Sequence, residues 1–213
     1  FKPRLGPGVK ATVEVPFAGL ERAADGDEVP ALRWADVSDE TYGLTLLNNA
    51  KYGHQAHGTT LGLTLVRAPY EPDNLPDQGV QSFAYALYPH AGDWRAAQSD
   101  RRAAEFNQPL IACMTDAHAG PLQPNMALLE GDAPNVMVTA VKWAQSGERA
   151  IVVRLVEMHG REAQARLRWA WNVARVEQVN VLEEPMGPLP AEPHGCRVTL
   201  GAHKIVTLKL LLA

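Results

Sequence analysis

The polar segment Asn48–Gly58 (NNAKYGHQAHG) has the composition of a binding loop, since amide, ammonium, phenol and imidazole groups alternate with small residues. It lies between two apolar segments that favour strands, and loops held at both ends by strands commonly carry binding residues. Arg67 follows the second apolar segment, and its guanidinium can donate several hydrogen bonds to hydroxyl or carboxylate groups. An ion pair of Arg67 with Asp73 or Asp77 is the competing interpretation.

Two histidines of this segment, His54 and His57, are spaced like a pair of metal ligands. A zinc site needs three or four ligands, and no cysteine or acidic residue lies within a few positions of either histidine. The sequence therefore predicts no metal site in this chain, and we expect these histidines to face solvent or a partner domain.

Glu157 and His159 form a second candidate pair, because a carboxylate beside an imidazole can transfer protons. The following Gly160 indicates that the strand ends there. An ion pair of Glu157 with Arg154 or Arg161 is therefore the simpler interpretation.

Alternating apolar and polar side chains predict strands on both sides of the polar segment, over Tyr42–Leu47 and Leu61–Val66. A proline-rich connection follows Arg67 and excludes a helix or a central strand there. The strand pattern also occurs earlier and returns after this connection, in Lys10–Val15, Val29–Val37 and Val80–Tyr88.

One helix is predicted over Asp93–Phe106, where Asp93 can cap the first turn and the composition favours helix. Many strands, regular turns and a single helix predict an all-β fold, a large antiparallel β-sandwich. A hairpin turn is expected at Gln145-Ser146-Gly147-Glu148. The later predicted strands are Leu110–Met114, Met126–Leu129, Val136–Trp143, Ala150–Glu157, Ala163–Trp171, Val173–Leu182, Gly195–Leu200 and Lys204–Leu211.

The chain has 213 residues and a formal net charge of −4, with no basic stripe, which argues against a nucleic-acid partner. No apolar run approaches the roughly 18 residues needed to span a membrane, so no membrane partner is expected. Cys113 and Cys196 lie far apart and outside any Cys-x-x-Cys motif, which favours two reduced, mostly buried thiols over a disulfide. We expect a cytoplasmic protein.

Several segments occur in the order found in a known family. The longest is LLNNAKYGHQAHGTTLGLTLVRAP, which ends at Pro69, and it is followed by Asp77-Gln78-Gly79 and FAYALYPHAGDW. Other matching segments are PALRWAD from Pro30, RLVEMHGR from Arg154, Glu184-Pro185 and IVTL from Ile205. Together they resemble the C-terminal β region of bacterial-type α-mannosidases of glycoside hydrolase family 38, from roughly Val13 to the C-terminus.

This resemblance implies that the catalytic aspartate and the zinc ligands belong to an N-terminal domain that is absent here. Residues 1–9 would be a linker from that domain, and residues 10–213 the C-terminal β-sandwich region, with a smaller sub-sandwich from about 145. The sandwich would be of the galactose-mutarotase-like supersandwich type. No carboxylate pair here suits glycoside hydrolysis, since the adjacent Glu183 and Glu184 would point to opposite faces of a strand. No catalytic residue is therefore predicted in this chain.

The resemblance also implies that this region packs on the catalytic domain and shapes one rim of its sugar site. Arg67 takes the position of an arginine that approaches the sugar, whereas Asn49 stands where an acidic residue is usual. The substrate-proximal candidates are Arg67, Asn48, Asn49, Lys51, Tyr52 and His54. The whole enzyme is expected to cleave α-mannosides with retention, using zinc in the missing domain, and to form a homo-oligomer in which this region bridges subunits. This chain alone is expected to be inactive.

The alternative is a free-standing mutarotase-like domain that binds a carbohydrate or epimerises an aldose. A reading frame that begins near Phe1 would contradict the interpretation of this chain as a fragment of an α-mannosidase. An upstream segment with His, Asp and Asp at metal-ligand positions would exclude it.

Overall fold

The computed structural model describes residues 1–121 and 123–213 and contains two compact units, Phe1–Leu110 and Ile111–Ala213. Each unit has two antiparallel sheets around an apolar core of its own. The prediction of an antiparallel all-β sandwich is confirmed. Among the described residues, no helix has the length and apolar character needed to cross a membrane.

The first unit contains a five-stranded sheet in the order β2-β1-β4-β5-β8 and a three-stranded sheet in the order β3-β6-β7. A single helix, α1, follows the last strand. The elements are β1 Lys10–Val15, β2 Ala18–Arg22, β3 Asp25–Pro30, β4 Trp34–Ser38, β5 Tyr42–Asn48, β6 Gly53–His57, β7 Thr60–Leu63, β8 Tyr85–Ala91 and α1 Ser99–Asn107.

The two sheets of the first unit meet through alternate side chains of their strands. Val13 of β1, Val37 of β4 and Leu46 of β5 belong to one cluster with Ala56 of β6 and Leu61 of β7. Because successive side chains of a strand point to opposite faces, every second side chain of each central strand points away from this core. That second face also needs a cover.

Trp94 and α1 cover the second face of the five-stranded sheet. Trp34 of β4 and Leu47 of β5 pack with Trp94 and Ala103, and the rings of Trp34 and Trp94 lie 4.9 Å apart. A Cβ atom at Gly19 of β2 would overlap the Trp94 ring. The close approach of the indole therefore requires glycine at this position.

Polar side chains are buried in the same layer. The Asp36 carboxylate accepts hydrogen bonds from the hydroxyls of Ser38 and Thr45, each at 2.7 Å, and lies 2.7 Å from His90 Nε2. Thr45 also bonds the Ser99 hydroxyl at 2.6 Å, which links the sheet to the first residue of α1. These contacts satisfy a buried carboxylate that would otherwise be costly.

The second unit pairs a five-stranded sheet, in the order β10-β11-β17-β13-β14, with a four-stranded sheet in the order β15-β16-β12-β9. Their core joins Val153 and Leu155 of β11 to Leu167 of β12, Val198 of β16 and Leu208 of β17. The elements are β9 Leu129–Gly131, β10 Val136–Trp143, β11 Ala150–Glu157, β12 Ala163–Trp169, β13 Val173–Val179, β14 Pro185–Leu189, β15 Ala191–Glu192, β16 Gly195–Leu200 and β17 Ile205–Leu212.

Some element boundaries differ from the predictions. For the strands, pairing or its absence decides the outcome, and for the helix a preceding turn does. The predicted loop 48–58 contains β6, which is held between β3 and β7. The predicted strand Val80–Tyr88 begins only at Tyr85, and the predicted strand Leu110–Met114 is irregular and exposed. The helix begins at Ser99 rather than Asp93, whose carboxylate instead closes a turn by accepting from the Ala96 N–H at 2.9 Å.

The two cysteines are free, and their environments differ. Cys196 is buried in the core of the second unit, where burial raises the pKa of its thiol to about 11. Cys113 is exposed, so the expectation that both thiols are buried is wrong for this residue. Its neighbours lack strand pairing, which leaves the side chain without a core to enter.

The carboxylate of Glu157 organises one end of the second sandwich. Its oxygens accept hydrogen bonds from the backbone N–H groups of His159, Gly160, Arg161 and His203, at 2.8 to 3.1 Å. The side-chain amide of a fifth residue, Asn135, donates at 2.8 Å. This single group therefore ties the β11–β12 turn to the segments before β10 and β17.

The expected ion pair of Glu157 with Arg154 or Arg161 is wrong. In the part of the chain that the structure describes, the Arg154 guanidinium instead bonds the Val181 carbonyl and the Thr207 hydroxyl. Burial opposes ionisation of Glu157, but the backbone donors of His203 and His159 outweigh it and hold its pKa below the ordinary value.

We expect the substitution Glu157→Gln to lower the free energy of unfolding by about 3 kcal/mol at neutral pH, because it removes the charge and turns an amide donor toward the N–H groups. A folded-state pKa below the ordinary value means that this contribution is present above pH 4.5 and disappears as the pH falls through the folded pKa. Urea unfolding at pH 7 and at lower pH measures it. Glu162→Gln, at an exposed neighbour, is the control; equal losses for the two variants would contradict the assignment.

Candidate functional site

An open cleft of about 310 Å³ lies on the first unit, beside the segment that the sequence singled out. Three of the six predicted residues line it: Lys51, Tyr52 and Arg67. Sequence reasoning missed the other polar side chains of the lining, which are Glu28, Thr64, Asp77 and Gln81.

Strand pairing in the three-stranded sheet brings these residues together. Lys51 and Tyr52 lie in the turn between β5 and β6, Glu28 lies on β3, and Thr64 directly follows β7. Because β6 pairs with both β3 and β7, the turn, Glu28 and Thr64 share one end of this sheet. The Thr64 N–H bonds the Gly53 carbonyl at 2.9 Å, and its hydroxyl donates to Glu28 at 2.6 Å.

Asn48 does not line the cleft but holds the turn that does. Its side chain is buried, and its Oδ1 accepts from the backbone N–H groups of Ala50, at 3.1 Å, and Lys51, at 2.7 Å. Its Nδ2 lies 3.2 Å from both the Leu32 carbonyl and His54 Nε2. Asparagine suits this place because its carbonyl and amino groups act on the two sides of the turn at once.

His54 is also buried, so the expectation that it faces solvent or a partner domain is wrong. Its Nδ1 lies 3.3 Å from the Tyr52 carbonyl, and its Nε2 contacts Asn48. Burial lowers the pKa of His54 below the ordinary value of 6.5, against smaller raising effects of the Tyr52 carbonyl and the Glu28 charge. His57, three residues later on the same strand, is exposed.

Asn49 is exposed and binds the chain that leads into β8. Its Oδ1 accepts from the Ala84 N–H at 3.0 Å, and its own N–H donates to the Ala84 carbonyl at 3.2 Å. Asn49 thus uses its side-chain oxygen to pair with Ala84, at the position where an acidic residue is usual in the family that the sequence resembles.

The charges of the cleft are balanced. Lys51 and Arg67 supply two cations, and Glu28 and Asp77 supply two carboxylates. Arg67 is exposed and forms no ion pair with Asp73 or Asp77 among the described residues, so its guanidinium is available. The cleft therefore offers both hydrogen-bond donors and hydrogen-bond acceptors.

The cleft has the means to bind a ligand, but no catalytic pair is identified there. Within residues 1–121 and 123–213, no group of three or more His, Cys, Asp or Glu residues could hold a metal ion. The other candidate pair is also unavailable, since the Glu157 oxygens are occupied by five donors and His159 is buried. These side chains serve the fold.

Glu28 could have been predicted as a cleft residue only if the strand β3 had been recognised in the sequence. The segment around it, AADGDEVP, has the composition of a solvated loop, and only its final Val-Pro belongs to the predicted strand. Pairing with β6 converts Asp25–Pro30 into a strand and carries Glu28 to the cleft.

The buried histidine predicts a pH effect. Since the folded-state pKa of His54 lies below 6.5, the unfolded chain binds the proton more readily, and stability falls as the pH drops below 6.5. The substitution His54→Gln should remove this component between pH 7.5 and 5.5, as measured by urea midpoints. His57→Gln, at the exposed histidine of the same strand, should keep the original slope. Parallel curves for all three proteins would contradict the prediction.

Comparison with known families gives two matches along the chain. The "Glycosyl hydrolases family 38 C-terminal domain" matches residues 6–75, which include the cleft turn and Arg67. The "Glycosyl hydrolases family 38 C-terminal beta sandwich domain" matches residues 135–208, in the second unit. Together the two matches cover about two thirds of the chain.

Curated relatives are similar over longer stretches. Alpha-mannosidase 2C1 of Homo sapiens is 33% identical over 95% of this chain, which corresponds to 20% of that protein. An Alpha-mannosidase of Saccharomyces cerevisiae is 33% identical over 73% of this chain and 15% of that protein. The chain thus spans a fifth or less of the length of the curated relatives it matches.

The fold recurs in a solved structure of a glycosyl hydrolase family 38 protein from Enterococcus faecalis. The TM-score is 0.76 at 21% identity, over 94% of this chain and 25% of that one. The two family matches and the curated relatives show that the chain belongs to glycoside hydrolase family 38 and comprises C-terminal β domains of that family.

Proposed function

We propose that this chain is the C-terminal β region of a retaining α-mannosidase, where it supports a zinc-dependent catalytic domain and forms one rim of the sugar site. One observation carries the proposal: 33% identity to a protein named Alpha-mannosidase 2C1 extends over 95% of this chain but over only 20% of that protein. The remaining four fifths of such a polypeptide has ample length for a separate catalytic domain.

The cleft is the part of the rim that contacts substrate in this proposal. The side chains of Lys51, Tyr52 and Arg67 satisfy no buried polar group among the described residues, and they stand beside carboxylates that can accept hydrogen bonds from hydroxyls. A mannoside is neutral and rich in hydroxyl groups, which matches the balanced charge of this surface. Asn48, Asn49 and His54 do not line the cleft and would act indirectly, by holding the turn that carries Lys51 and Tyr52.

The chemistry itself lies elsewhere in the proposed enzyme. Zinc fits no residue group of this chain within the described ranges, so the ion would be held by the catalytic domain, together with the carboxylate nucleophile. A cytoplasmic location is part of the proposal, supported by two cysteines that form no disulfide. Contact with the catalytic domain and a homo-oligomer remain proposals of the same kind.

The first test is hydrolysis of an aryl α-mannoside in the presence of added zinc, by this chain and by a full-length protein that contains it. We expect turnover only by the full-length protein, because the described residues of this chain contain no group that could hold a metal ion. Turnover by the chain alone would overturn the proposal. A zinc chelator should abolish the full-length activity and leave the urea midpoint of the isolated chain unchanged.

The second test addresses the cleft. In the full-length protein, Arg67→Gln should lower kcat/KM by about tenfold, through a higher KM, because one or two hydrogen bonds to the sugar are lost. Arg197→Gln is the matched control, since Arg197 is an exposed arginine of the second unit that does not line this cleft. Equal kinetics for Arg67→Gln and wild type would exclude a substrate-binding role for this guanidinium.

A further inference from the structure

We infer that His54 is a positioning residue of the cleft: as a neutral imidazole protonated on Nδ1, it joins Asn48 in fixing the turn that presents Lys51 and Tyr52. The role in sugar binding rests on the proposed function. The geometry of the turn stands independently of it.

The orientation of the Asn48 amide is fixed by its own partners. Two backbone N–H groups, from Ala50 and Lys51, point at one side-chain atom of Asn48, and an N–H can only donate. That atom is therefore the carbonyl Oδ1. The other atom is the amino Nδ2, which donates to the Leu32 carbonyl at 3.2 Å.

This orientation determines the state of His54. An amino group that donates at 3.2 Å requires Nε2 of His54 to be an acceptor, without a proton. The Tyr52 carbonyl, 3.3 Å from Nδ1, can only accept, so Nδ1 carries the hydrogen. Both bonds exist together only for the neutral, Nδ1-protonated tautomer, and burial of the ring favours the neutral form.

The ring thereby links the two ends of the turn. Asn48, at the end of β5, fixes the entry through Ala50 and Lys51, and the bond to Tyr52 fixes the exit. The Tyr52 carbonyl also accepts from the Ala31 N–H at 2.9 Å, so it would keep one partner without His54. Loss of the imidazole should therefore loosen the turn without unfolding the sheet.

The turn matters because the side chains of its last two residues, Lys51 and Tyr52, line the cleft. The Lys51 ammonium also lies 5.1 Å from the centre of the Phe83 ring. Neither the cleft lining nor the contact between Lys51 and Phe83 involves the His54 side chain. His54 acts through the backbone of the turn, so we assign it a positioning role and not a substrate contact.

The first measurement is the tautomer of His54 in this chain, by ¹⁵N NMR of the imidazole at pH 7.5. We expect a protonated Nδ1 and an unprotonated Nε2. The substitution Asn48→Asp keeps an acceptor for Ala50 and Lys51 but places a carboxylate oxygen beside Nε2, so His54 should become doubly protonated at the same pH. A proton on Nε2 in the wild type, or an unchanged ring in Asn48→Asp, would overturn the inference.

The second measurement is amide hydrogen exchange at Lys51, whose N–H donates to Asn48 Oδ1 at 2.7 Å. His54→Asn retains a donor near Tyr52 but removes the acceptor for Asn48, and it should speed exchange at Lys51 at least tenfold. His57→Asn, at the exposed histidine of β6, should leave the rate unchanged. Equal exchange in both variants would overturn the inference.

Kinetics of the full-length protein separate this inference from the proposed function. His54→Asn should raise KM several-fold with little change in kcat, as expected for a displaced binding surface. If Arg67→Gln and His54→Asn both leave KM unchanged while exchange at Lys51 rises, the substrate-binding role of the cleft fails and the positioning of the turn stands. If Arg67→Gln raises KM but exchange at Lys51 is the same in His54→Asn and wild type, the positioning role fails.

Discussion

The side-chain amide of Asn48 is the interaction on which the cleft depends. The chain leaves the five-stranded sheet at Asn48 and enters the three-stranded sheet at Gly53, so the intervening turn must connect two sheets within four residues. Backbone groups in such a short connection cannot all pair with one another. One amide group supplies an acceptor for two of them and a donor to the Leu32 carbonyl and the His54 ring.

In the second unit, a carboxylate satisfies the backbone N–H groups of a turn in the same way. Glu157 at the end of β11 accepts four backbone N–H groups and one side-chain amide where the chain turns toward β12. Asp36 is buried among hydroxyls and His90, and buried Glu14 binds the guanidinium and the backbone N–H of Arg33. These three buried acids, Glu14, Asp36 and Glu157, are thus committed to structure, because their oxygens already accept hydrogen bonds within the fold.

The residues left for function are those that the fold does not use. Lys51 and Tyr52 reach the cleft from a turn whose backbone is held by hydrogen bonds, Arg67 reaches it from the exposed segment after β7, and Glu28 and Asp77 balance their charge. This separation of a rigid support from uncommitted polar side chains is what a binding rim requires, because ordering long side chains costs conformational entropy that a fixed turn partly reduces. It agrees with the proposed role of this chain in forming one rim of a sugar site.

Local sequence patterns were sufficient to predict the strands that have apolar side chains and turn residues at both ends. Lys10–Val15, Val136–Trp143, Ala150–Glu157 and Gly195–Leu200 have the predicted boundaries. Three of them place at least one face in a core, whereas Val136–Trp143 contributes only Val136 and is held mainly by its pairing with β11. The same local information identified segment 48–58 and Arg67 as candidate binding residues, since residue types and their order can be seen in the sequence.

Long-range contacts, in contrast, make β6 a strand and bury His54. A segment such as GHQAH carries too little apolar area to specify a strand alone, and its pairing with β3 and β7 joins residues that are distant in sequence. The place of Glu28 in the cleft follows from the same long-range pairing, which no local pattern encodes.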